Sequence, residues 1–357
     1  MARWRTVVTL AALALLLAVV LLAIPSVRTA LPGMTQRTVY TNPVIHWDFA
    51  DPHVIRASDG FYYAYSTEHL TYERLAYIQV ARSRDLVDWE MLPDAMPEKP
   101  EWSDTTRDFW APGVIQADGT YYMYFSGIRD GTEGMCLGVA TSESPAGPFD
   151  PEDEPLRCGD GFVNIDPMPF DDPKTGKRLL YWGSDSSPIM VQELAEDRVS
   201  FAPGSSPKEL IYPSGLQQYE RLIEGAFVVY RDPYYYLFYS GDNCCVAPVN
   251  YAVMAARSRS AMGQFEKKAD ATGEFGGSVI LQQNDRWEGT GHNSVVRDEA
   301  GRDWIFYHAI DPDGRYNPGT EAPKRPMLMD PIVYRSGWPE IEEPSPSTTR
   351  RQGPLVR

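Results

Sequence analysis

The sequence predicts an all-β chain, a five-bladed β-propeller preceded by an N-terminal hydrophobic targeting helix. A turn followed by a run of aromatic and β-branched residues recurs five times, which marks a repeated hairpin-and-strand unit. The turn residues Gly60, Gly119, Gly176, Pro233 and Gly301 stand 59, 57, 57 and 68 residues apart, enough in each case for a four-stranded sheet with generous loops. Beyond the N-terminus no long stretch has helical periodicity, and 28 Gly and 30 Pro favour turns.

The elements follow in order. Residues 1–35 form a targeting segment. Arg3 and Arg5 precede an apolar run from Val7 to Ile24 that only Thr9 interrupts. The run is long enough to span a bilayer and longer than the usual apolar core of a signal peptide. No small-x-small cleavage site stands out, so a cleaved signal peptide and a retained membrane anchor both stay open. In either case the basic end remains inside and the body is extracytoplasmic, secreted or anchored.

The propeller is expected over residues 36–342. Its aromatic strands are 59–66, 118–126, 175–183, 232–240 and 300–308. A third strand follows at 78–84, 137–142 and 252–258, each leading through a turn to Trp89, Phe149 or Phe265. Residues 343–357, rich in Pro, Ser, Thr and Arg, read as a disordered tail. Outside the cytoplasm thiols can oxidise. Cys136 could pair with Cys158. The adjacent Cys244 and Cys245 could bridge each other or stay reduced.

Each aromatic strand is preceded by a short one. Asp51, Trp110, Glu224 and His292 each stand nine residues before their turn marker, and Asp166 stands ten before its own. In a propeller the innermost strands line the axis, so equivalent ends meet at one mouth. Three carboxyl groups, an indole and an imidazole then share one concavity. Glycoside hydrolysis needs such a set: one carboxylic acid protonates the leaving oxygen, and one carboxylate acts on water or on the sugar. A third carboxylate raises the pKa of the acid by like-charge repulsion. An indole face suits the apolar side of a sugar. Any one of these residues alone would be an ordinary turn or core residue; the common register is what carries weight.

Net charge narrows the partners. At −16 the chain lacks the positive clusters that nucleic acid requires. Five His and four Cys exclude a Cys/His zinc array and a disulfide-scaffold mini-protein.

At these residues the chain resembles glycoside hydrolase family 43, inverting five-bladed propeller enzymes of arabinan and xylan breakdown. The matching stretches are Asn42-Pro43-Val44-Ile45, Asp48-Phe49-Ala50-Asp51-Pro52, Trp110-Ala111-Pro112, Ile165-Asp166-Pro167, Glu224-Gly225 and Gly291-His292-Asn293-Ser294-Val295. The resemblance implies Asp51 as general base, Glu224 as general acid and Asp166 as the residue that tunes Glu224. It implies a sugar subsite walled by Trp110 with Phe109 beside it. It implies no cofactor for the chemistry. In arabinanase-like members it implies calcium or a similar ion in the central channel, near His292 and held largely through water. The stretch Gly241-Asp242-Asn243-Cys244-Cys245 and the Gly-His-Asn-Ser motif are arabinanase-like, whereas Asn-Pro-Val-Ile is xylosidase-like and Ala50 replaces a His common in arabinanases.

The expected activity is inverting cleavage of arabinan or arabinofuranoside bonds in an oligo- or polysaccharide, by a monomer. A β-xylosidase or another furanosidase of the same fold is the alternative within the architecture. A non-catalytic carbohydrate-binding propeller is the alternative outside it, and three retained carboxylates speak against that, because clustered like charges are costly. A protein-interaction scaffold would show a broad apolar mouth instead.

Overall fold

Large aromatic and aliphatic residues follow one another along each aromatic strand because both faces of the strand are buried. The computed structural model describes residues 36–70, 75–105, 108–183, 185–343 and 345–356. In strand Tyr62–Ser66 every side chain is buried. Tyr63 and Tyr65 join a core shared with Val114, Met123 and Phe125 of the next sheet, while Tyr62 and Ala64 join one shared with Val296, Trp304 and Phe306 of the last. The two-residue period of a strand thus feeds two inter-sheet cores at once.

Five antiparallel meanders result, and together they form a five-bladed β-propeller. Blade I consists of His53–Arg56, Tyr62–Ser66, Gln79–Ser83 and Trp89–Met91. Blade II begins with Trp110–Ala117, Thr120–Ile128 and Met135–Ser142, and blade III with Met168–Asp171, Arg178–Trp182 and Ile189–Glu193. Blade IV begins with Ile223–Arg231, Tyr234–Asn243 and Asn250–Ser258, and blade V with Glu288–Arg297, Asp303–Ile310 and Met327–Arg335. The inner strand of each blade lies against the inner strands of its neighbours, and the fifth lies against the first.

One backbone device repeats at the inner end of every blade. Asp51, Ala111, Asp166, Gly225 and His292 adopt left-handed backbone angles, with φ of 55°, 47°, 58°, 61° and 48°. The N–H of each donates to a side chain of the preceding blade. Ala111 donates to Thr67 Oγ1 at 3.0 Å, Asp166 to Ser126 Oγ at 3.0 Å and His292 to Ser240 Oγ at 2.8 Å. The Asp51 nitrogen lies 3.2 Å from His308 Nδ1, which closes the circle from blade V to blade I. Blade III ends its aromatic strand in Gly183 and has no side chain to offer. Gly225 donates instead to Asp166 Oδ2, at 2.9 Å.

This device corrects the register read from the turns. Ala111 and Gly225, not Trp110 and Glu224, occupy the position of Asp51, Asp166 and His292. Blades II and IV turn through two-residue loops, between Ala117 and Thr120 and between Arg231 and Tyr234, whereas blades I and V use five-residue loops, so a count from the turn slips by one residue.

The tail also differs from expectation. Far from being disordered, residues 351–356 form a strand that pairs with Gln36–Tyr40. The reason is Asp330, a fully buried carboxylate of blade V. It accepts from Tyr40 Oη at 3.0 Å, Tyr307 Oη at 2.7 Å, the Ser347 N–H at 3.0 Å and Arg351 Nη1 at 3.2 Å. A buried acceptor needs its donors, and the polar, proline-rich tail supplies two of them. The last strand of blade V, Trp338–Ile341, ends before residue 342, and the tail beyond it adds a separate two-stranded sheet. The targeting segment expected at 1–35 lies outside the described residues. No helix among the described residues is long and apolar enough to cross a membrane.

Replacing Asp330 by Ala takes a buried acceptor from the Tyr40 and Tyr307 hydroxyls and the Ser347 N–H, and one of its partners from Arg351. Urea unfolding of D330A should show a loss of about 3–5 kcal/mol relative to wild type, and a loss below about 1 kcal/mol would mean that the tail is not held by this carboxylate.

Candidate active site

A cavity of about 510 Å³ opens where the inner strands begin, a size suited to one or a few sugar units. Asp51, Asp166, Glu224, His292 and Trp110 all line it. Phe109 does not. It is fully buried and packs edge-on against Tyr77 and Phe125, so its ring belongs to the core between blades I and II. Its contribution to the site is its backbone N–H, which donates to Glu68 Oε2 at 2.7 Å. Trp110 is half-buried, donates from Nε1 to Glu68 Oε1 at 3.3 Å and stacks on Phe162 at 5.9 Å between ring centres.

Asp51 sits at the centre of a cationic and hydrogen-bonding shell. Thr67 Oγ1 donates to its Oδ2 at 2.5 Å. Its Oδ1 has His308 Nδ1 at 3.1 Å, His292 Nδ1 at 3.4 Å and Arg325 Nη1 at 3.4 Å. Burial works to raise its pKa, but the Arg325 guanidinium leads the groups that outweigh burial and hold the carboxyl well below the usual carboxylate range. It is a carboxylate at any ordinary pH.

Glu224 stands in the same cavity under the opposite influence. Burial pushes its carboxyl up to about 7, and the negative charge of Asp51 adds to the rise; the Tyr251 hydroxyl, which donates to Oε1 at 2.7 Å, pulls the other way. Asp166 is raised as well, by burial first and then by Glu224 and Asp51. One cavity therefore holds an ionised carboxylate and a carboxylic acid, the division of labour that acid–base catalysis needs.

The two imidazoles are neutral. Burial lowers His292 to about 4 and lowers His308 too. His292 lies 3.9 Å from Asp166 Oδ2 in addition to its approach to Asp51. Ligand atoms of Asp166, Glu224 and His292 fall within 4.8 Å of one another, so these three residues could hold a cation.

Sequence reading missed several members of this site. Arg325 arrives from the connection before the third strand of blade V, where no repeat marks it. Tyr251 and His308 lie inside strands that read as core; their rings are parallel and 5.8 Å apart. His308 did carry a signal, because it ends the fifth aromatic run where the others end in Ser or Gly. Glu68 follows the first run, and burial raises its carboxyl to about 8.

Comparison with known proteins agrees with this geometry. A family model described as glycosyl hydrolases family 43 matches residues 40–339. A probable arabinan endo-1,5-α-L-arabinosidase A of Aspergillus clavatus is 28% identical over 306 residues, covering 82% of this chain and 90% of that protein. An extracellular exo-α-(1→5)-L-arabinofuranosidase of Cellvibrio japonicus is 25% identical over 317 residues, covering 83% and 87%. Among solved structures, a thermostable family-43 glycoside hydrolase superposes with a TM-score of 0.72 at 27% identity, over 89% of this chain and 100% of that one.

The pKa of Glu224 sets a pH dependence. A general acid must carry its proton, so kcat/KM should fall as pH rises through about 7. The Tyr251 hydroxyl stabilises the ionised form of Glu224. Y251F should therefore move that alkaline limb upward by roughly half to one pH unit. A limb that stays in place, or moves down, in the measured kcat/KM profile would remove Glu224 from the role of the titrating acid.

Proposed function

This chain belongs to glycosyl hydrolases family 43, and from that premise we propose that it cleaves α-linked arabinofuranosyl bonds of arabinan-type oligo- or polysaccharides with inversion. One observation carries the reading: Asp51 is held ionised and Glu224 protonated at a single sugar-sized cavity. Asp51 takes a proton from a water as that water attacks the anomeric carbon. Glu224 gives its proton to the glycosidic oxygen as the C–O bond breaks. Water ends on the sugar with inverted configuration, and the alcohol leaves neutral. Asp166 shapes the acid through the backbone, because its Oδ2 fixes the Gly225 N–H directly beside it; the charge that raises Glu224 is that of Asp51. The Trp110 ring offers an apolar plate to the sugar. Two of the relatives described above are named for 1,5-linked arabinosides, one endo and one exo, which supports this sugar class.

The remaining roles follow the same reading. The enzyme works as a monomer outside the cytoplasm, secreted or anchored through its N-terminal segment; one relative is named extracellular. No cofactor takes part in the chemistry. A cation is compatible with the channel beneath the cleft. A void of about 20 Å³ there, room for one water, is lined by Asp51, His53, Asp166, His292 and Asn293, and the Asn293 amide is buried with neither its N nor its O bonded. Carboxylates, an amide and a neutral imidazole suit a hard ion that keeps part of its water. His292 and Asn293 would hold such an ion, and its charge would ease the crowding of the carboxylates.

The test uses purified protein on aryl arabinofuranosides, xylosides and galactofuranosides and on linear α-1,5-arabinan. Arabinosides should be cleaved in preference, and proton NMR should show β-arabinose as the first anomer. D51N and E224Q should each lose about 10²–10⁴-fold in kcat on arabinan. E224Q, but not D51N, should recover activity on an aryl arabinofuranoside whose leaving group needs no protonation. Preference for xylosides, or a first product of retained configuration, would overturn the proposal.

A further inference from the structure

One wall of the cavity has no part in the acid–base chemistry. Cys244 and Cys245 form a disulfide between adjacent residues, and both line the cavity. They follow directly on the second strand of blade IV, in a loop fixed by its own side chains. Asn243 Oδ1 accepts from the N–H groups of Cys245 at 3.3 Å and Val246 at 3.2 Å, and its Nδ2 donates to the Pro248 carbonyl at 2.9 Å. Asp242 accepts from the Arg221 N–H at 2.9 Å and from Asn250 Nδ2 at 3.1 Å. The cystine is thus held at the cavity, not left to drift on a surface loop.

Stability does not account for this bond. A disulfide stabilises mainly by restricting the open chain, and its effect grows with the loop it closes. Cys136–Cys158, separated by 22 residues, closes such a loop and ties two strands of blade II. A bond between sequence neighbours closes none. What it provides is a surface. Two bonded sulfurs are polarizable, have no hydrogen to donate, and have no rotamer freedom left to lose on binding a ligand. In a cavity ringed by carboxylates, that is a patch fit for the C–H face of a sugar.

The bond also protects the charge balance. Arg325 Nη1 lies 3.5 Å from Cys245 Sγ and 3.4 Å from Asp51 Oδ1. A neutral disulfide leaves the guanidinium to Asp51. A free thiol ionises near pH 8.5 in its ordinary range and would compete for it.

We propose that the Cys244–Cys245 disulfide is a specificity-determining wall of the pocket, contacting the apolar face of the bound pentose. The proposal rests on the reading of this cavity as a pentoside-cleaving site. Its test compares C244S/C245S with wild type on whichever pentoside of the panel the wild type cleaves. KM should rise about tenfold, with kcat changed less than about threefold and an unchanged melting temperature. In a C136S/C158S background, where Cys244–Cys245 is the remaining bridge, a phosphine reductant should produce the same rise in KM, and reoxidation should reverse it. Unchanged KM in both experiments, or a fall in kcat at constant KM, would overturn the proposal. A preference for xylosides would instead defeat the arabinoside reading and leave this comparison intact.

Discussion

The cleft depends on five peptide N–H groups that point backwards. At the start of each inner strand the backbone turns through the left-handed region, a conformation that costs a residue with a Cβ about 1–2 kcal/mol. It persists because each N–H finds an acceptor on the blade before it. The circle joins every blade to the next at the level of the site. Asp51, Asp166 and His292 are themselves members of it, so the device that closes the propeller also fixes the angle at which the functional side chains enter the cavity.

Within that frame, burial alone would protonate every carboxyl. Arg325 and the hydrogen bonds around Asp51 break the symmetry. Burial raises Glu224 and Asp166, whereas the guanidinium brings Asp51 down. The ionised Asp51 then raises its neighbours further. One partly buried arginine thus separates two chemically similar groups into a carboxylate and a carboxylic acid, and both outcomes come from where the cation sits.

The fold and half of the site could be read from the chain because they are written as repeats. Turn, aromatic run and a closing small residue recur, and the residues ahead of each turn reach one mouth. The acceptors Ser126, Ser240 and His308 stand in plain view at the ends of those runs. The slip at Trp110 and Glu224 arose because an offset counted from the turn cannot see that two hairpins close in two residues where others take five. Phe109 was misplaced because an aromatic beside a site residue has two faces of the strand to choose from, and the core took it. Arg325 and Tyr251 were hidden because a non-repeating connection and a buried strand leave no trace of what they face. The tail misled because composition says nothing of the Asp330 carboxylate that it covers.

Gly183 leaves a gap in the circle, and the gap has a mechanical meaning. In four blades the acceptor beneath the cleft is a hydroxyl or an imidazole. Between blades III and IV it is a carboxyl oxygen, on a residue whose proton occupancy is tied to Glu224. An ionised carboxyl grips an N–H more strongly than a protonated one, so the main chain beside Glu224 is anchored by a group whose hold depends on its own charge.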